Sequence, residues 1–254
     1  MQFDSGFRVY KKNITQPVIS SGDTTLDDLL KGGYRKDLVH LLYGDQKKTT
    51  NILLTTSVIV QKAFSNGGLG DGIRVAFIDG NNRFNPYTVS KFAASKKLSP
   101  RKVLENIIIA RAFTWDQMIE LLENRLKQLE DVKVVLISGI TNLFATYEKH
   151  TFEDLLRAIS GIKAILSKNN PLMVITAQLH ESSQFRPKGG KILSHFGNVL
   201  VMIKEDERFT EYTLVQHPFL SENQLKKWKP HKPKRHLGNQ SKNSTLDMWM
   251  KEEK

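Results

Sequence analysis

The most recognisable chemistry in the chain lies in Val39-His40-Leu41-Leu42-Tyr43-Gly44-Asp45-Gln46-Lys47-Lys48-Thr49-Thr50-Asn51-Ile52. An apolar strand pattern gives way to a Gly, then to cations and hydroxyls, then to a helical pattern, which is the order of a phosphate-binding loop. In such a loop, G-x-x-x-x-G-K-S/T, glycines let backbone N–H groups point at the β-phosphate. The Lys reaches the outer phosphates and the hydroxyl holds Mg²⁺. Here the Gly before the Lys is absent, and Lys side chains stand where glycine is needed. Counted from Gly44 to Thr50 the loop is one residue short, and two short if Lys48-Thr49 forms the Lys-hydroxyl pair. A loop of this length and composition is not expected to wrap a triphosphate in the usual way. An ordinary strand-to-helix turn accounts for the same residues equally well. Lys48, Thr49 and Thr50 retain groups that can touch a phosphate, so no cofactor is expected, while ATP binding without turnover stays open.

The surrounding elements set where this segment sits. Short β-branched runs at Leu38 to Tyr43, Arg74 to Asp79, Asn106 to Ala110, Val132 to Ile137 and Leu172 to Thr176 alternate with longer patterns. The longer ones, Asn51 to Phe64, Tyr87 to Lys97, Asp116 to Leu129 and Thr151 to Lys168, carry apolar residues at helical spacing. This alternation predicts an α/β fold with a doubly wound, mostly parallel sheet covered on both faces, because parallel strands need right-handed helical crossovers. Asn198 to Ile203 and Tyr212 to Gln216 bracket the polar turn Lys204 to Glu211, which predicts an antiparallel hairpin at the C-terminal side of the sheet. The nucleotide-like segment then falls at the carboxyl end of the first core strand, where open α/β sheets place ligands.

Composition narrows the function classes. With 254 residues, 39% of them hydrophobic, the chain suits one sizeable α/β core. No apolar run approaches the roughly 18 residues of a membrane span, and no charged-then-apolar leader is present, so a cytoplasmic protein with no membrane partner is expected. The absence of Cys excludes disulfides, thiolate metal sites and a Cys nucleophile, and the His residues show no paired spacing for a metal. The net charge of +12 favours polyanionic partners. A Lys-rich solvated surface of the kind common in proteins from hot environments is the competing explanation.

Four further segments carry a family resemblance. Thr25-Leu26-Asp27-Asp28-Leu29-Leu30-Lys31-Gly32-Gly33-Tyr34-Arg35-Lys36-Asp37 resembles the "T-G-x-x-x-L-D-x-L-L-G-G-G-I-x-x-G" that precedes the Walker A loop of RadA and related RecA-like recombinases. Phe77-Ile78-Asp79-Gly80-Asn81-Asn82-Arg83-Phe84-Asn85-Pro86 is similar to their "Y-I-D-T-E-G-T-F-R-P", and Leu104 to Phe113 to "L-D-N-I-x-x-A-R-A-Y". Pro187-Lys188-Gly189-Gly190-Lys191-Ile192-Leu193-Ser194-His195 resembles "P-x-G-G-x-I-x-A-H". The matches run in order from Ser21 to Glu222. The chain is thus identified as a member of the RecA-like recombinase family, close to archaeal RadA, and a RecA-like core is expected over residues 21–225.

The departures fall on the positions that carry the family's chemistry. Where the resemblance implies a Glu that activates the attacking water, the chain has Asn81, which is no base. Where it implies the Walker B Asp that anchors Mg²⁺, the chain has Ser138. The family's "D-S-P", whose Asp caps the ATP of a neighbouring subunit, becomes Gln216-His217-Pro218. Gln178 and His195 do match family residues that sense the γ-phosphate. Together with the short loop these losses imply a non-hydrolysing paralogue, an accessory protein of DNA recombination and repair, rather than an enzyme. The alternative is a DNA-dependent ATPase with a divergent phosphate-binding loop.

Partner features follow the same comparison. The resemblance places a DNA-binding loop between Thr176 and the Gly189-Gly190 pair, with Arg186 and Lys188 as its phosphate contacts and His180 beside them. The second such loop, Ala145 to His150, is short and mixed in charge, and only residues 1–20 precede the core, so neither a full recombinase filament nor the family's N-terminal helix-hairpin-helix domain is expected. Phe7 is placed like the Phe that polymerising members dock on the next subunit, but it lacks the accompanying Ala and is expected to pack on its own core. Residues 226–242 carry Lys226, Lys227, Lys229, Lys232, Lys234 and Arg235 with no Asp or Glu, and are expected to form a flexible, DNA-binding linker. The last residues, 243–254, resemble a sliding-clamp (PCNA) interaction peptide. Asn243 stands for its Gln, and Leu246, Trp249 and Met250 form an apolar plug. DNA, the clamp and another RecA-like protein or a second copy of the chain are the expected partners, in a cytoplasmic, nucleoid-associated setting.

Overall fold

The computed structural model describes residues 5–8, 11, 17–144, 151–183 and 185–230. In chain order its elements are β1 (Val18–Ile19), α1 (Thr24–Leu29), β2 (Tyr34–Arg35), β3 (Val39–Gly44), α2 (Gln46–Ile59), β4 (Arg74–Asp79), α3 (Pro86–Ser95), α4 (Pro100–Glu105) and β5 (Ile107–Arg111). They continue with α5 (Trp115–Glu120), β6 (Val132–Ser138), α6 (Thr151–Asn169), β7 (Leu172–Ala177), α7 (Gly190–Phe196), β8 (Val199–Glu205), β9 (Phe209–Gln216) and β10 (Asn223–Trp228). Eight strands form one sheet in the order β10-β9-β8-β3-β7-β6-β4-β5. The six strands from β8 to β5 run parallel, and β9 and β10 add antiparallel.

The strands are where the β-branched runs place them, because burial on both faces demands near-continuous apolar side chains. Val134, Leu136 and Val174 face one layer of the core with Leu53, Val58 and Tyr212, while Val135, Ile137 and Ile175 face the other with Ala158, Ile162 and Ile165 of α6. Each fully buried Val, Leu or Ile contributes about 1.5–3 kcal/mol relative to leaving it in water. Caps fix the helix starts: Asp45 for α2, Asn85 with Pro86 behind it for α3, and Thr114 for α5 each accept a backbone N–H of the first turn.

Three departures from the sequence expectation have local causes. The single helix expected over Asp116 to Leu129 changes gauge, passing from α5 through a π turn at Leu121–Arg125 to a 3₁₀ turn at Leu126–Gln128. At that point α6 comes so close that a Cβ on its Gly161 would lie 2.1 Å from the Leu122 carbonyl oxygen. The helix expected from Asn51 begins at Gln46, so the supposed loop Gly44 to Thr50 contracts to the single residue Asp45 between strand and helix. The basic segment does not start as a linker. Asn223–Trp228 pairs with β9, placing Lys226 and Lys227 inside a strand and Lys229 just beyond it, because Leu225 packs beside Tyr212 on the core.

Candidate functional site

The carboxyl end of β3 and the amino end of α2 form the centre of the site. Gly44 has φ of 121°, a region L side chains avoid, and a Cβ there would lie 2.0 Å from the Ile203 carbonyl oxygen of β8. Only glycine lets the chain turn this closely against the neighbouring strand. The Asp45 N–H then donates to that same Ile203 oxygen at 2.9 Å, and its carboxylate accepts the Lys48 N–H at 2.7 Å. An anion therefore sits at the amino end of α2, where unpaired N–H groups and the helix dipole favour negative charge, and that anion is the chain's own side chain.

Lys48 is also engaged elsewhere. Its Nζ lies 2.8 Å from Asp23 Oδ2, which accepts the Tyr212 hydroxyl at 2.8 Å and lies 3.6 Å from Lys227 Nζ. Burial by itself would raise the pKa of Asp23. The hydrogen bond and charge of Lys48, the Tyr212 hydroxyl and the Lys227 charge outweigh it and hold the carboxyl below its ordinary value. The same environment, burial first and the Asp23 charge second, pushes the Tyr212 hydroxyl far up, so it stays a donor.

Behind α2, the side chains of Thr50, Asn81 and Ser138 close on one another. Asn81 Nδ2 donates to Thr50 Oγ1 at 2.9 Å, Ser138 Oγ donates to Asn81 Oδ1 at 3.1 Å, and the two hydroxyl oxygens are 3.4 Å apart. Thr50 and Ser138 are buried, and no member of this triangle is charged. The adjacent carboxylate, Asp79, is fully buried and committed to its own turn. It accepts the N–H groups of Arg83 at 3.1 Å and Phe84 at 2.9 Å and pairs with Arg111 at 3.4 Å. Thr49, equally buried, donates its hydroxyl to the Asp45 carbonyl at 2.9 Å.

The fold therefore brings Gly44, Lys48, Thr49, Thr50, Asn81 and Ser138 together, as the motifs imply. Gln178 also sits at this carboxyl edge of the sheet, where its N–H donates to Thr141 Oγ1 at 3.3 Å. His195 is elsewhere: it lines a cavity of about 470 Å³ with Val39, Leu156 and Asn198, at the amino end of β3, the opposite end from Gly44. His217 is a turn cap whose Nδ1 accepts from Phe219 and Leu220, and burial pushes it down to about 4. Phe7 is 74% exposed rather than packed on the core.

The loop before α7 is pinned as a narrow turn, with His180 N–H donating to the Arg186 carbonyl and Lys188 N–H to the Gln178 carbonyl, both at 2.8 Å. Arg186 is exposed and Lys188 half-buried. The second loop of mixed charge, residues 145–150, lies outside the described residues, as do Lys232, Lys234, Arg235, Asn243, Leu246, Trp249 and Met250. Among the described residues no group of three or more His, Asp or Glu is placed to hold a metal, and no helix is long and apolar enough to cross a membrane.

Sequence reasoning missed Asp45, Asp23 and Tyr212. The first was legible as an Asp directly before a helical pattern, which is a capping signal. The other two meet Lys48 only across the fold, 25 and 164 positions away in sequence.

A mostly parallel sheet with an antiparallel C-terminal edge, and a strand-to-helix turn at the carboxyl end of a central strand, define a RecA-like α/β domain. The chain belongs to the Rad51 family, whose sequence profile matches residues 11–226. It is similar to the DNA repair and recombination protein RadA of Cenarchaeum symbiosum (strain A), with 30% identity over 208 residues, covering 76% of this chain and 52% of that protein. Two proteins of Arabidopsis thaliana are also similar. A meiotic recombination protein DMC1 homolog is 25% identical, covering 74% of this chain and 59% of its own, and the DNA repair protein RAD51 homolog 1 is 26% identical, covering 70% and 56%. The chain thus spans a little over half the length of these relatives.

Proposed function

We propose that this protein is a non-hydrolysing member of its family, an accessory factor of DNA recombination and repair that works by binding partners. The observation that carries the reading is the Asp45 carboxylate seated at the amino end of α2, on the Lys48 N–H. A triphosphate brought there would meet a carboxylate instead of a cradle of free N–H groups. It would also find Lys48 held by Asp23 and the hydroxyl of Thr50 engaged by Asn81. The neutral Asn81 and Ser138 supply neither a base nor a charged metal anchor. The residues present thus do not fit a magnesium-bound triphosphate.

In this proposal DNA is held by Arg186, Lys188, Lys226, Lys227 and Lys229, with Lys232, Lys234 and Arg235 adding phosphate contacts. The tail binds a sliding clamp through Asn243, Leu246, Trp249 and Met250, or the domain docks on another RecA-like protein. Calorimetry with ATP and Mg²⁺ and a turnover assay on the full chain test the core of it. No turnover above background is expected, and the double change Asn81→Glu with Ser138→Asp is expected not to create it while Asp45 remains. Robust Mg²⁺-dependent turnover abolished by Thr50→Ala would overturn the proposal. For the tail, Leu246→Ala with Trp249→Ala is expected to abolish clamp binding in a pull-down, since each buried side chain contributes on the order of 2 kcal/mol. Clamp binding that survives both changes would remove the tail from the proposal.

A further inference from the structure

Three steps of the chain set an Asn or Asp directly before glycine: Asn66–Gly67, Asp71–Gly72 and Asp79–Gly80. At such a step the glycine nitrogen can attack the side-chain carbonyl carbon of the residue before it and close a cyclic imide, because glycine presents no Cβ and accepts the backbone angles the ring imposes. By sequence the first step is the most reactive of the three, since an amide gives up ammonia more readily than a carboxyl gives up water. The reaction also needs the glycine nitrogen free to swing onto the side chain, and the fold decides that.

Two of the three steps are tied. Asp79 is fully buried, its carboxylate accepts the Arg83 and Phe84 N–H groups and pairs with Arg111, and the Gly80 N–H donates to the Ser138 carbonyl at 2.8 Å. Asn66 is exposed, but it closes the 3₁₀ turn Phe64–Asn66, and its glycine is held from both sides. The Gly67 N–H donates to the Phe64 carbonyl at 3.1 Å, and the Gly67 carbonyl accepts the Ser20 N–H at 3.0 Å. Either nitrogen must leave its acceptor before it can react.

Asp71–Gly72 is set the other way. Both residues are exposed in the loop that leads from α2 to β4. The Gly72 N–H donates to Asp71 Oδ1 at 3.0 Å, so the nitrogen already lies against the carboxyl it would attack, and the carboxyl carbon is one bond beyond that oxygen. Gly70 and Gly72 have φ of 126° and 71°, and a Cβ built on either would meet nothing within 4 Å. The loop is fastened on either side, by the Gly70 N–H on the Lys62 carbonyl at 2.8 Å and by Ile73 against the core, and the Asp71–Gly72 step lies between those fastenings. An Asp before Gly is an ordinary turn former. That role needs the same geometry, so the turn carries the reactivity with it.

We infer that Asp71–Gly72 is a covalent modification site of the folded domain, at which the chain converts to isoaspartate. The Gly72 nitrogen bonds to Asp71 Cγ and loses its proton, and the protonated side-chain hydroxyl leaves as water. That water is returned when the imide opens: at Cγ it restores Asp71, and at the Asp71 backbone carbonyl carbon it leaves the chain running through the side chain. Nothing is oxidised or reduced, and no co-reactant beyond water is required. The product lengthens the loop by a methylene and presents a free α-carboxylate, the group on which carboxyl methyltransferases for isoaspartate act.

The test ages the full chain at physiological temperature, folded in buffer and unfolded in guanidinium chloride, and maps its peptides by mass spectrometry. Isoaspartate at position 71 reads as a peptide of unchanged mass and altered retention that an aspartate-specific endoproteinase no longer cuts there. It is expected to form at least as fast in the folded protein as in the unfolded one. Conversion of Asn66, read as the mass change from amide to acid, is expected to be slowed roughly 5- to 150-fold on folding, the combined net worth of the two backbone hydrogen bonds that fix Gly67. Asp71→Asn makes the comparison chemically equal, because both exposed steps then lose ammonia: position 71 should lead position 66 in the folded protein and match it in denaturant. Asp71→Glu should abolish the modification at 71, since the longer side chain closes a larger ring far less readily. Denaturation midpoints check that both variants are folded. Isoaspartate at 71 that forms faster in denaturant than in the folded protein would overturn the inference, as would folded Asp71→Asn protein in which position 66 converts as fast as position 71. So would folded wild-type protein that forms no isoaspartate at 71.

Discussion

The polar centre at the head of α2 and the aromatic face of β9 and β10 occupy the same carboxyl edge of one sheet, yet they are built on opposite terms. At α2 the groups that the family motif would use have found partners within the chain: Asp45 on the Lys48 N–H, Lys48 on Asp23, Thr50 and Ser138 on Asn81. Such a buried network is stable because its donors and acceptors are mutually satisfied, and a ligand would have to break those bonds before forming its own. On β9 and β10 the Trp228 ring is mostly in water and Lys226 is held only by an exposed pair with Glu211 and the Phe209 ring, so a partner would displace far less. The contrast shows that the groups a family motif implies can be saturated within the chain while exposed rings and cations lie elsewhere. A constellation inherited by position is saturated here, while the open chemistry lies on strands that the motif does not include.

The largest expected effect tests the saturated centre. Gly44→Ala forces a Cβ against the Ile203 carbonyl at a φ that L residues avoid, and is expected to cost at least about 3 kcal/mol, measured by urea denaturation. Wild-type stability in that variant would mean that the strand-to-helix turn is not as tight as described.

Acid should find the next weakness, also in the interior. His40 of β3 is buried, with its Nε2 accepting the Arg35 N–H at 3.2 Å, and burial pushes it down to about 3. The unfolded chain binds this proton near pH 6.5, so the stabilisation is complete above that pH and is lost as pH falls towards 3. The loss is about 1.4 kcal/mol per pH unit, or about 3 kcal/mol by pH 4. His40→Gln should flatten this limb of the stability profile by one proton; an unchanged slope would remove His40 as its source.

Lys48→Met is expected to cost less, about 2 kcal/mol, since Tyr212 and Lys227 remain on Asp23. The sign of its pH dependence is fixed by the depressed Asp23 carboxyl. The stabilisation is present above the unfolded value near 3.8 and disappears as pH falls below it, so wild type and variant should converge at low pH in denaturation midpoints. At the other extreme, Trp228→Ala should change stability by no more than about 0.5 kcal/mol, because the ring is mostly in water. A large stability loss there would make Trp228 a structural residue and erase the contrast between the two regions.

What the sequence determined by itself is the layered sheet and the address of the degenerate site. Apolar runs such as Arg74 to Asp79 and Leu172 to Thr176 could bury themselves only as strands inside a two-sided core. The order of the motifs fixed which strand ends carry Gly44, Asn81 and Ser138. Local chemistry also held the Asp45 cap, although the expectation of a loop obscured it. The tertiary structure alone decided where Lys48 points, because Asp23 and Tyr212 lie on distant elements and meet it only when α1 and β9 pack beside α2. It likewise made a strand of Asn223–Trp228. Those residues alternate too weakly to announce themselves, with Leu225 the only aliphatic anchor, and it is pairing with β9 that holds them extended and turns Lys226 and Trp228 onto one face. Periodicity encodes what a segment does against its nearest layer; the partner of a charge, or of an edge strand, is set by contacts that exist only once the layers are assembled.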